Sequence, residues 1–258
     1  AEMTTDDLRE SPPPSPPPPD QQNVFSRIAG VLFAPAETFA AIARRPGIIG
    51  PLLVILVVSL ATTAVIIPRM DFESILAQQS EQMRKQNPNM SEEQMAQIEK
   101  FTRASGKVFG WISPLMMVAW YAIVAGALLL AFRLMGGEGT YKQAFSATLY
   151  AWMPLILFGI IMTIVVLARG TFDPVTAQTL VKSNPAFLVD WKEQPVLYSL
   201  LASFDIFTIW TIVLLVFGFS ALSKASRAKS AAIVITLWLA MILVKVGFAA
   251  MGAARMKG

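Results

Sequence analysis

The stretch VFGWISPLMMVAWYAIVAGALLLAF, residues 108–132, contains no Asp, Glu, Lys or Arg. An α-helix rises about 1.5 Å per residue, so about 20 apolar residues cross a hydrocarbon core of roughly 30 Å. Residues 46–68 and 143–168 are likewise free of charge, and two more apolar runs follow toward the C-terminus. Only 15% of the chain is charged and 55% is hydrophobic. Soluble domains carry about 25% charged residues, so the deficit points to lipid as the solvent. The expected fold is all-α, a polytopic membrane protein of five transmembrane helices. The spans are placed at about 49–67, 109–134, 144–168, 198–222 and 231–252, inside a membrane domain covering 49–252.

The segments around these spans have characters of their own. Residues 1–23 read as a disordered Pro-rich tail, with seven prolines between Ser11 and Asp20. Such a run lacks backbone donors and favours extended polyproline II, which makes it a spacer first and a docking strip for a Pro-binding groove second. Residues 24–48 read as an interfacial amphipathic segment lying on the membrane. Val24, Ile28, Val31, Leu32, Phe39 and Ile42 share an apolar side edged by Arg27, Arg44 and Arg45. Residues 69–107 read as a helical outer loop. Asp71 is placed to cap a first helix, Asn87-Pro88 to break it, and Ser91 with Gln94 to form a capping box that opens a second. Between spans three and four, Asp173-Pro174 is a helix-start signal and Asn184-Pro185 its end. Pro114 and Pro154 are expected to kink spans two and three.

Composition removes whole classes of function. The chain has no His and no Cys, which takes away thiolate nucleophiles, imidazole bases and the common zinc and haem ligands. No cofactor and no metal site is expected. Neither Gly-x-Ser-x-Gly, His-Glu-x-x-His nor a Walker loop occurs, so the chain reads as no enzyme. The formal charge of +4 is not gathered into a basic stripe. It suits anionic lipid headgroups rather than nucleic acid. Arg27, Arg44 and Arg45, then Arg133 and Lys142, then Lys224, Arg227 and Lys229 flank one side of the spans densely. That bias places the N-terminus in the cytoplasm and the C-terminus outside.

Asp205 and Lys245 fall inside the expected spans four and five. They read as an intramembrane charge pair at matched depth: an ion pair that fixes packing in the first reading, an ion or proton relay in the second. Ala122 and Gly126 in span two, and Ala147 and Ala151 in span three, offer close helix packing.

Residues 31–52, VLFAPAETFAAIARRPGIIGPL, and residues 136–154, GGEGTYKQAFSATLYAWMP, together with the five spans, resemble the bacterial branch of the Yip (Ypt/Rab-interacting protein) family. The resemblance implies a non-enzymatic protein of the bacterial inner membrane. Eukaryotic members are linked to vesicle traffic and small GTPases, but the Asp-Leu-Tyr-Gly-Pro element associated with them is missing here. What carries over is a scaffold or interaction protein, an accessory to a transport or envelope assembly. Its expected partners are the lipid bilayer and either other proteins or a second copy of itself. The alternative is a small transporter or channel component using Asp205 and Lys245.

Overall fold

A computed structural model describes residues 23–172 and 177–257. The Pro-rich tail up to residue 22 and the Asp173-Pro174 helix start lie outside the described residues. Within them the protein is helical with no strand, and five helices are long and apolar enough to cross a membrane.

The chain opens with α1 (Val24–Phe33) and α2 (Pro35–Arg44), then α3 (Ile49–Ile66). After a short 3-10 turn come α4 (Phe72–Gln86) and α5 (Glu92–Leu134), followed by α6 (Tyr141–Ala151), α7 (Met153–Arg169) and α8 (Ala177–Leu180). A second 3-10 turn (Pro185–Leu188) leads to α9 (Pro195–Leu201), α10 (Ile206–Ser223) and α11 (Arg227–Lys257).

The local signals that open helices act as their spacing requires. The Gln94 N–H donates to Ser91 Oγ at 3.2 Å, and the Ser91 N–H donates to Gln94 Oε1 at 3.1 Å. The same reciprocal box closes around Thr140 and Gln143 at the start of α6. Each box satisfies two amide donors that a helix start would leave orphaned. At the far end of α5, Gly136 takes φ +78° and the Gly137 N–H reaches back to the Phe132 carbonyl at 2.8 Å. A left-handed residue there ends the helix, and glycine adopts it without a Cβ penalty.

Two expected spans differ in form from the reading above. Span two fuses with the second helix of the preceding loop into one 43-residue helix, α5, with Pro114 inside it. Span three is two helices: α6 stops at Trp152, and α7 starts anew with Pro154 in its first turn. Proline at that position needs no amide partner, so it opens a helix more cheaply than it kinks one.

The N-terminal hairpin is the larger departure. The interfacial reading gave 24–48 an apolar side facing lipid, but the structure turns that side of α2 into the bundle. Phe39, Ala41 and Ile42 are each 1% exposed and pack with α6 and α10. Gly218 of α10 makes this possible, because a Cβ there would lie 3.1 Å from the Phe39 ring and 3.3 Å from the Ala147 methyl. Polar contacts hold the same joint. Gln143 Nε2 donates to the Ala43 carbonyl at 2.7 Å, Ser146 Oγ to the Gly47 carbonyl at 3.0 Å, and Arg27 Nη1 to the Arg45 carbonyl at 3.0 Å. Around them lies the main core, with Ile55, Leu128, Phe132, Tyr150, Leu214 and Phe219 among its members. A smaller cluster of Met162, Val166 and Phe172 sits at the opposite end of the bundle, beside Ile66 and Met70.

Overpacking this joint has a predictable cost. Gly218→Val should lower stability by about 1–3 kcal/mol, read as a fall in the detergent or nanodisc unfolding midpoint. Gly159→Ala, whose added methyl meets nothing within 4 Å, should leave that midpoint nearly unchanged.

Candidate functional site

Of the expected site residues, Asp205 and Lys245 carry the only charges that the sequence placed well within spans four and five; the structure moves Asp205 to the start of a helix and leaves Lys245 inside α11. The expected span from 198 to 222 is not continuous. It is α9, a break over Ala202–Asp205, and then α10. Asp205 is the N-cap of α10, with extended backbone at φ −80°, ψ 138°. Its Oδ1 accepts the Phe207 N–H at 2.9 Å and the Thr208 N–H at 3.3 Å. An Asp side chain at a helix N-cap satisfies two donors that the first turn would leave orphaned.

The other carboxylate oxygen is also occupied. The Ser183 hydroxyl donates to Asp205 Oδ2, and the Ile206 N–H donates to the Ser183 carbonyl at 3.0 Å. The residues around Ser183 therefore close the start of α10 from outside. Beside them Asn184 does not end a helix as its sequence suggested. Its side chain accepts the Ala186 N–H at 3.1 Å and starts the 3-10 turn Pro185–Leu188.

Lys245 makes a separate contact. Its Nζ donates to Ser203 Oγ at 3.3 Å, and Ser203 Oγ donates to the Ser199 carbonyl at 2.9 Å. Among the described residues no ion pair joins Lys245 to Asp205. Lys245 stands inside α11, about 18 Å before the helix ends at Lys257. The direct pair expected from sequence is thus replaced by two serine-mediated anchors at one end of the bundle. Both carboxylate oxygens of Asp205 are engaged as acceptors, an arrangement suited to holding a helix start. Among the described residues no three Asp or Glu side chains gather as a metal ion would need.

The small residues divide by role. Ala147 lies 3.3 Å from where a Gly218 Cβ would be, at the crossing of α6 with α10, and Ala151 is fully buried one turn on. Ala122 and Gly126 receive a side chain, not a second backbone. The Tyr141 hydroxyl donates to the Ala122 carbonyl at 3.0 Å, and the Tyr141 ring passes 3.7 Å from a Cβ built on Gly126.

Sequence reasoning missed Ser183 and Ser203. The available signal was Asp205 directly before an apolar helical run, with donors at the second and third positions of the new helix. Ser183 carries no such mark, because it meets Asp205 only through tertiary folding.

The amino-acid sequence of this chain has relatives among known proteins. The Yip1 domain matches over residues 29–248. The chain belongs to the Yip1 domain family. It is also similar to a protein of Bacillus subtilis (strain 168) named Membrane protein YknW, 28% identical over 200 residues covering 73% of this chain and 75% of that one. No solved structure matches it. The Yip1 match begins inside α1 and ends inside α11, so it takes in the α2–α6–α10 joint as well as all five apolar helices.

If Asp205 acts as a cap, Asp205→Ala should cost about 1 kcal/mol of stability while Asp205→Ser keeps most of it. Combining Asp205→Ala with Lys245→Met should then be additive to within about 0.5 kcal/mol. A coupling of more than about 1 kcal/mol in that unfolding cycle would restore the direct ion pair.

Proposed function

We propose that this Yip1 family membrane protein is a non-enzymatic scaffold, an accessory to a transport or envelope assembly, whose α4–α5 hairpin is the contact surface. The observation that carries the reading is the length of α5. Its 43 residues span about 65 Å, roughly twice the hydrocarbon thickness. The excess lies at its N-terminal end, where α4 folds back along it.

That projection is held in shape by its own contacts. Arg103 and Glu73 pair at 2.7 Å, and the Ser80 hydroxyl donates to Glu99 at 2.8 Å. Leu76 and Met95 are buried between the helices. A Cβ on Gly106 would fall 2.9 Å from the Phe72 ring, so the two helices approach closely there. Phe101, by contrast, is 73% exposed on the α5 flank. A rigid helical pair presenting an aromatic outside the hydrocarbon suits recognition of another protein.

The orientation in this proposal is N-terminus in the cytoplasm and C-terminus outside a bacterial inner membrane, resting on the dense Lys and Arg flanks. The hairpin then faces the outside. The alternative, a small transporter or channel component, would use an Asp205 that here accepts from two backbone N–H groups and a serine hydroxyl.

Photocrosslinking in living cells tests the proposal. With p-benzoylphenylalanine in place of Phe101, a discrete adduct with one protein should form, and with the same group at Leu53, on the exposed side of α3, only lipid adducts. If the Phe101 position gives no protein adduct in cells where the chain is folded and abundant, the hairpin is not the contact surface.

A further inference from the structure

A cleft of about 380 Å³ lies between α3, α5 and α7, inside the span region, and it is lined by hydroxyls without any charged side chain. Ser59, Thr62 and Thr63 reach it from α3. Their spacing of three and four residues puts them on one helix face. Tyr121 joins from α5, its ring packed on Trp152 at 4.8 Å between centroids. Among the described residues none of these four hydroxyls has a hydrogen-bond partner.

Thr148, Tyr198, Thr211 and Ser230 also lack a hydroxyl partner among the described residues, but none of them lines this cleft. Thr163, Ser203 and Ser223 each donate to the carbonyl four residues back. In hydrocarbon a hydroxyl left without a partner costs about 1–3 kcal/mol, so several converging on one cleft favour an occupant that accepts or donates hydrogen bonds. Two more features make room for it. Pro114 has no N–H, which frees the Gly110 carbonyl from the helical ladder, and Ser113 Oγ answers it at 2.7 Å. On the opposite wall Gly159 contributes no side chain, and a Cβ there would meet nothing within 4 Å.

The absence of Lys, Arg, Asp and Glu from the lining disfavours a phosphate or any ionised head at this depth. Val58, Met117, Leu155 and Ile156 complete the lining, an apolar wall along which an alkyl chain can lie. We infer that this cleft is a binding site for an uncharged lipid whose hydroxyl or ester group bonds to Ser59, Thr62, Thr63 and Tyr121, of which diacylglycerol is the chemical type. The inference is independent of the hairpin's role.

The full chain in phosphatidylcholine nanodiscs, with a diacylglycerol carrying a diazirine near its ester group, provides the test. The label should concentrate on peptides around Ser59–Thr63 and Pro114–Tyr121, and unlabelled dioleoylglycerol should compete it away while dioleoyl phosphatidic acid should not. Gly159→Leu should fill the cleft and abolish the competable labelling. Tyr121→Phe keeps the ring on Trp152 and should weaken competition by about fivefold, the effect of one hydrogen bond. Labelling spread over the whole lipid-facing surface, or unchanged by Gly159→Leu in a protein with an unaltered unfolding midpoint, would overturn the site and leave water as its occupant. Equal competition by phosphatidic acid would overturn the uncharged head.

Discussion

Gly218 lacks a side chain, and the N-terminal hairpin can enter the bundle because of it. The Phe39 ring occupies the space that a Cβ on α10 would take, with Ala147 of α6 closing the third side. Once Phe39 is seated, Ile42 and Ala41 are buried with it, and the end of α2 and the link to α3 are drawn over α6, where Gln143 donates to the Ala43 carbonyl and Ser146 to that of Gly47. The hydrogen bonds fix the register of a joint whose driving force is the removal of apolar surface from water and headgroups. The links at the same end follow suit: the Glu138 N–H donates to the Ser223 carbonyl at 3.3 Å, and Glu138 pairs with Lys224 at 2.7 Å. The end of the bundle that holds α2 is therefore its packed end, and the α4–α5 hairpin and the α9–α10 break belong to the other.

A second constraint is the solvent. Hydrocarbon offers backbone no hydrogen bonds, so every interruption of a helix within it must be answered locally. The interruption at Trp152 is answered by its carbonyl accepting from Leu155 and Ile156, and Pro114 by Ser113 on the freed carbonyl. The break before α10 is more demanding because a new helix start exposes donors, and Asp205 with Ser183 supplies the acceptors. A charge that looks expensive in a continuous apolar run is thus a cap at the edge of a shorter one.

The sequence made legible whatever depends on composition or close spacing. Uncharged windows pointed to the first three apolar helices, since crossing a bilayer favours them, and Ser91 with Gln94 announced its capping box through a three-residue spacing. The fusion of two helices into α5 was not legible, because 102–108 mixes Arg103 and Lys107 with small residues and looks like a boundary. The α9–α10 break was hidden for a different reason. Residues 198–222 are apolar enough to pass as one helix, and Ser183, which meets the Asp205 cap and accepts the Ile206 N–H, arrives only through the tertiary fold. The apolar face of α2 was visible, but whether it met lipid or protein depended on Gly218, far away in sequence. The hydroxyls of Ser59, Thr62 and Thr63 shared a visible face too, but nothing local told that Pro114 and Gly159 would open a cleft in front of them.

The burial of α2 is the claim on which the bundle's architecture turns, and carbene footprinting with a membrane-soluble aryl diazirine tests it without altering the protein. Read residue by residue in native membranes, Phe33, which is 83% exposed, and Leu53 should label strongly while Phe39 and Ile42 stay unlabelled. Labelling of Phe39 and Ile42 as heavy as that of Phe33 would mean that α2 lies on the lipid after all, and would contradict this account of the fold.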